Sequence, residues 1–277
     1  MNITTFAASE LHISISAEPI FYIGGFPVTN ALLTGIVGSA ITIAILVYVA
    51  GKVKRGRYNR FVGLVQWVFE GLLNQINDVI PDKKIARRIT PLAITIFFVV
   101  LINYWLSVIP GLDSIKWNGV PVIRSVTADL NFTLGLALIT VVTVQIYAVK
   151  YLGAFANAGR YFRNPFKDPI GSFEGVLELI GEISRGTALA LRLFGNAFAG
   201  EVLLIVIAVL TSFFAVAVLP IFMGFELFIG FIQAYVFFVL TLIFTALAVA
   251  HHGPEHHSDD HSPAVSPKKK AARAGVK

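Results

Sequence analysis

Residues 185–202 read RGTALALRLFGNAFAGEV, an apolar, helix-forming run with Arg192 at its centre and Glu201 near its end. Arginine keeps its charge at any ordinary pH, so it is a poor proton carrier and a good fixed cation. Holding a charge among apolar residues costs free energy, and inside a membrane such a group faces a cavity, a partner or an ion path. Apolar sequence continues well beyond Arg192, so its side chain has no short route to headgroups. Arg185 lies nearer the start of the run, and snorkelling to headgroups suffices for it. Projected as one helix at about 100° per residue, Glu174, Glu178, Arg185 and Asn196 fall within roughly 40° of Arg192. Gly181, Ala188 and Ala199 share that face, with Gly195 at its margin. Small side chains around a charge leave the backbone open to close approach by another surface. Glu201 points to the opposite side, roughly 13 Å further along.

Residues 213–250 form a second long apolar run, in which Glu226 and Gln233 share a face beside Gly230. A carboxyl and an amide within apolar helices suggest a hydrated path. Pairing with polar neighbours is the plainer alternative for Glu201 and Glu226. Glu178 and Asp129 sit near interfaces, where a solvated acid is ordinary.

The composition says what kind of elements must hold these groups. The chain has 277 residues, 56% hydrophobic and 14% charged, with a mean hydropathy of +0.76. Soluble domains carry about 25% charged residues, so a membrane protein is expected. There is no cysteine, which excludes disulfides and thiolate metal sites. No nucleotide loop, metal set or nucleophile constellation is visible, so the chain is expected to have no catalytic chemistry or cofactor of its own. The net charge of +6 does not imply nucleic acid, because the cations flank apolar runs in the pattern of membrane topology.

The order of segments is regular. Residues 30–51 are long enough to cross a hydrocarbon core of about 30 Å. KVKRGRYNR follows, with five Lys or Arg in nine residues. In 61–80 Gln66, Glu70, Asn74 and Asp78 fall four apart opposite an apolar face, which predicts a helix lying on the membrane surface. PDKKIARRIT adds cations before a span at 91–110, a cation-poor loop follows, and a third span covers roughly 129–150. The positive-inside rule places 52–88 and 150–167 in the cytoplasm and the N-terminus and the 111–128 loop outside. The runs 172–211 and 213–250 are nearly twice as long as an upright span needs, so they kink, begin as surface helices or lie tilted. The tail from His251 is polar, Pro-containing and His-rich; a solvated, disordered tail is favoured over a metal-binding one.

The fold expected is all-α and polytopic, with about five membrane helices plus the surface helix at 58–80. It divides into an external segment 1–28, the first three spans 29–168, a helical hairpin 169–250 and a cytoplasmic tail 251–277. The N-terminal MNITTFAASELHISIS lacks the features of a secretory signal. The absence of a transit peptide, with the basic C-terminal extension, favours the bacterial plasma (inner) membrane over an organelle.

ALRLFGNAFAGE, residues 190–201, resembles the signature of subunit a in the membrane sector of F-type ATP synthases. ITPLAITIFFVVLINYWLSVIP, TADLNFTLGLAL, IQAYVFFVLTLIF and the lead HISISAEPIFYIGGFPVTN fall in that family's order, over about residues 10–250. The resemblance implies two long helices strongly tilted against a ring of c subunits, in a complex with peripheral-stalk b subunits and a catalytic sector. It implies that Arg192 is the essential arginine facing the ring, separating two proton half-channels. Asn196, Glu201 and Gln233 match polar residues near it and along the outer channel, and Asp129 matches an acid of that channel. Glu178 matches a carboxyl near the inner channel. Glu226 stands where some members carry histidine. An ion-coupled secondary transporter is the rival reading; its usual inverted repeat is not visible, since the arginine motif has no second copy.

Overall fold

The computed structural model describes residues 16–109, 116–117, 120–161, 169–211 and 214–250. Five of its helices are long and apolar enough to cross a membrane: α1 (Asn30–Lys54), α3 (Lys83–Val108), α4 (Leu130–Leu152), α6 (Pro169–Thr211) and α7 (Ala215–Ala250). The protein is an all-α, multi-pass membrane protein in its main body. The sequence reading missed two small antiparallel hairpins, β1 (Pro19–Ile23) with β2 (Phe26–Thr29), and β3 (Lys116–Trp117) with β4 (Val120–Pro121). The first turns at Gly24 and Gly25, whose φ angles of 56° and 87° suit glycine.

The first hairpin runs straight into α1. The Thr29 hydroxyl accepts from the Leu32 amide at 3.2 Å, capping the helix. Asn30 is buried and ties this end together: its Oδ1 accepts from the Glu18 amide, and its Nδ2 donates to the Pro121 carbonyl at 3.1 Å. The α1 helix ends in Lys52 and Lys54, cations that complement the helix dipole. The surface helix expected from the four-residue polar spacing is α2 (Arg60–Val79). It buries Val62, Val65, Leu72 and Ile76 against the bundle and leaves Leu64 and Trp67 exposed.

Helix α3 is the core of the bundle, and it starts earlier than the expected span at 91–110. Asp82 caps it, accepting from the Lys84 amide at 2.8 Å, so the basic stretch is its first turns rather than a preceding loop. Ile89, Ala93, Phe97, Val100 and Tyr104 form one fully buried stripe. Phe97 meets Phe238 of α7 edge-on at 6.3 Å and Phe231 at 6.0 Å, geometries that aromatic pairs favour. Buried threonines such as Thr42, Thr241 and Thr245 return their hydroxyls to carbonyls four residues back, so these hydroxyl donors are satisfied in the apolar interior.

Helix α6 is continuous over 43 residues. At 1.5 Å per residue it is about 64 Å long, twice the hydrocarbon thickness. No break divides it into two shorter helices, so α6 must tilt, bend or run on outside the hydrocarbon. The short α5 (Ala154–Tyr161) packs between α4 and α6. The expected disordered tail 251–277 lies outside the described residues, as do 1–15 and 162–168.

Candidate ion path

One face of α6 is turned inward: Leu189, Ala190, Leu193, Ala197 and Gly200 are buried. The opposite face is open. Arg192 is exposed there, and so are Ala188, Gly195, Asn196 and Ala199. The small-residue surface expected around the arginine is thus a bare stripe on the outside of the bundle. Arg192 has no hydrogen-bond or ion-pair partner among the described residues, whereas Asn196, one turn on, reaches across to α7. Its Nδ2 donates to Gln233 Oε1 at 2.8 Å, and Gln233 itself is buried.

Beyond this bridge, α6 and α7 open into a cleft with room for about 50 Å³, enough for a few waters. Glu201 from α6 and Glu226 from α7 both line it, with Tyr104 and Ser125. Glu226 is 3% exposed, and its Oε1 accepts from the Tyr104 hydroxyl at 2.5 Å. Trp105, the next residue, donates its indole N–H to the Leu227 carbonyl at 2.9 Å, which fixes the end of α3 against α7. Backbone approach is close here because side chains are missing: a Cβ at Gly200 would run into the Glu226 carboxylate, and one at Gly230 into the Tyr104 ring. Glycine at both positions is what lets a carboxyl and a phenol fit between helices.

The segment before α4 supplies a cation to Glu201 on the wall of this cleft. Arg124, 6% exposed, places Nε 3.8 Å from Glu201 Oε1 and donates from Nη1 to the Ser16 carbonyl. Sequence reasoning had counted Arg124 only as one of few cations in an outer loop, and had not singled out Tyr104. The available signal was context: VIRSVTA is apolar around its arginine, as is INYWLSV around its tyrosine. Asp129 takes a different place. It is the N-cap of α4, accepting from the Asn131 amide at 2.9 Å and from Asn131 Nδ2 at 3.1 Å. It stands at the same end of the bundle and does not line the cleft.

Glu178 lies at the other end. It lines a second cleft of about 80 Å³ between α4, α6 and α7, shared with Gln145, Glu182 and Arg185. The Arg185 guanidinium sits 5.8 Å from the centre of the Phe244 ring, a cation–π contact rather than a free reach to headgroups. The two clefts have no lining residue in common. Arg192 is ten residues from Glu182 and nine from Glu201, so it stands roughly midway, about 15 Å and about 14 Å along α6.

Residues 32–246 match the family model described as ATP synthase A chain. The chain belongs to this family. Among relatives named ATP synthase subunit a, the Mycobacterium bovis protein is 31% identical over 239 residues, covering 83% of this chain and 90% of that protein. The Desulforamulus reducens protein is 33% identical, covering 78% and 79%. The Aliivibrio salmonicida protein is 30% identical, covering 82% and 87%. The match to the family covers Arg192, the outer cleft and all of the inner cleft's wall except Leu247 and Ala248.

Proposed function

We propose that this chain is the stator subunit a of a rotary F-type ATP synthase, with two proton half-channels that meet a c-subunit ring on either side of Arg192. The observation that carries this reading is the exposed guanidinium of Arg192, on a bare stripe of small residues between two polar clefts. The outer half-channel is the cleft of Glu201 and Glu226, with Asn196 and Gln233 at its inner end and Asp129 near its mouth. The inner one is the cleft that Glu178 lines.

The chemistry follows from charge. Each ring subunit brings a neutral, protonated carboxyl round through lipid. Opposite the fixed cation its ionised form becomes favourable, because a positive charge within a few ångströms lowers a carboxyl's affinity for its proton. The proton leaves by one half-channel, and the next carboxyl is loaded from the other. The same charge repels a proton crossing directly, so transport requires rotation. A membrane potential supplies about 2.3 kcal/mol per proton for each 100 mV, energy that a leak would dissipate. ATP chemistry belongs to the catalytic sector, joined through peripheral-stalk b subunits.

The ends of the bundle support the orientation. Lys52 and Lys54 of α1, the basic start of α3 and Lys150 of α4 fall at one end, where Tyr147 of α4 donates to the Arg88 carbonyl at 2.9 Å. By the positive-inside rule that end is cytoplasmic, in a bacterial plasma membrane, with the first hairpin outside. The test is Arg192→Ala in inverted vesicles. The expected result is an assembled complex with ATP-driven acidification abolished; normal acidification would falsify the reading.

A further inference from the structure

Glu182, one turn along α6 from Glu178, is held in a network that the reading above does not use. Gln145 of α4 donates from Nε2 to Glu182 Oε1, and Tyr161, the last residue of α5, donates its hydroxyl to Glu182 Oε2. Gln145 Nε2 also donates to the Tyr161 oxygen at 3.0 Å, and Gln145 Oε1 accepts from Asn157 Nδ2 at 3.1 Å. Three helices therefore converge on one carboxylate, both of whose oxygens act as acceptors, as a carboxylate's do.

The network is open on one side. Glu182, Gln145 and Arg185 line the inner cleft of about 80 Å³ together with Glu178. That volume holds several waters, and its polar wall gives them partners. A clip that only fastened α5 to α6 would need no such cleft beside it. Gln145 is five residues before Lys150, at the basic end of the bundle, so the cleft opens near the surface assigned to the cytoplasm.

We propose that Glu182 is a proton-exchanging carboxyl at the inner end of the ion path, its oxygens aimed at cleft water by Tyr161 and Gln145. Uptake of one proton from that water converts the carboxylate to the acid and displaces one hydrogen bond donated to it. Release to water restores both, and no other reactant is needed. Glu178, at i−4, lines the same cleft, so two carboxyls serve it in parallel and loss of one slows transfer without stopping it. This inference rests on the two-half-channel reading and names a residue that the reading leaves without a role.

The test uses inverted vesicles carrying the whole complex. Glu182→Gln keeps the size and one acceptor oxygen and is expected to lower ATP-driven acidification by roughly tenfold. Glu182→Asp should recover most of the loss. Because the chain has no cysteine, Leu247→Cys on the cleft wall reports separately on water access. A membrane-impermeant thiol reagent applied to the cytoplasmic face, with cysteines of the other subunits replaced, should modify it and block pumping. Assembled Glu182→Gln complexes that pump at the parental rate overturn the proposal. If Glu182→Gln does not assemble, an unreactive Leu247→Cys overturns it and a reactive one upholds it. Arg192→Ala in the same vesicles separates the two levels: normal pumping there sinks the half-channels altogether. An inactive Arg192→Ala beside an unimpaired Glu182→Gln sinks the Glu182 exchange alone.

Discussion

At the residue scale the pair Tyr104 and Glu226 carries much of the argument. Residues 122 positions apart meet at 2.5 Å on the buried wall of the outer cleft, where a hydrogen bond to a carboxylate contributes about 1.5–3 kcal/mol. Tyr104→Phe keeps the ring that Gly230 accommodates and removes only the hydroxyl. The expected outcome is a loss of that order, read as a lower melting temperature of the solubilised complex. Gly200→Ala should be worse for transport, since its methyl displaces the Glu226 carboxylate; the measurement is the pumping rate at equal assembly. Arg192, Asn196, Glu201, Glu226 and Gln233 could be singled out from sequence because polar groups inside apolar helices stand out. Arg124 and Tyr104 carry only the weaker mark of an apolar context, and Glu182 is one of several acids on its helix. A cation in a loop and a tyrosine near a helix end are ordinary until tertiary contacts bury them, and those contacts are set by packing between distant segments.

At the scale of elements, capping decides more than hydropathy does. Asp82 sets the start of α3, which runs on through Pro91, its ninth residue, at the loss of one backbone hydrogen bond. An apolar count sees only the span that follows. Asp129 sets the start of α4 in the same way, and this separates two roles for its carboxyl. Asn caps as well as Asp does, while Ala costs about 1 kcal/mol. If capping is the whole of its work, Asp129→Asn pumps at the parental rate and Asp129→Ala lowers thermal stability. A pumping defect in Asp129→Asn would assign the acid to the outer path as well. The amphipathic α2 was legible because its polar positions recur every four residues. The first hairpin was not, because PIFYIGGFPVT reads as one apolar lead unless Gly24-Gly25 is taken as a turn between strands.

At the scale of the whole molecule, the chain brings polar clefts to opposite ends of one bundle and closes the space between them with packed side chains. Leu204, on the wall of the outer cleft, offers the matching test. Leu204→Cys is expected to react with an impermeant thiol reagent from the outer face and to resist it from the cytoplasmic face. Five spans and their order were visible in the sequence as hydropathy, but the meeting of α3, α6 and α7 was not, since helix pairing leaves no local mark. The length of α6 has one more consequence. In the stator arrangement proposed above, a rod of about 64 Å leaning in a sheet of hydrocarbon about 30 Å thick would set its two wells apart sideways more than vertically. Water carries the potential of each bulk phase to the floor of its well, so the voltage falls between neighbouring floors. The electric field at Arg192 then has a large component in the plane of the membrane, the direction in which a rotor's rim travels.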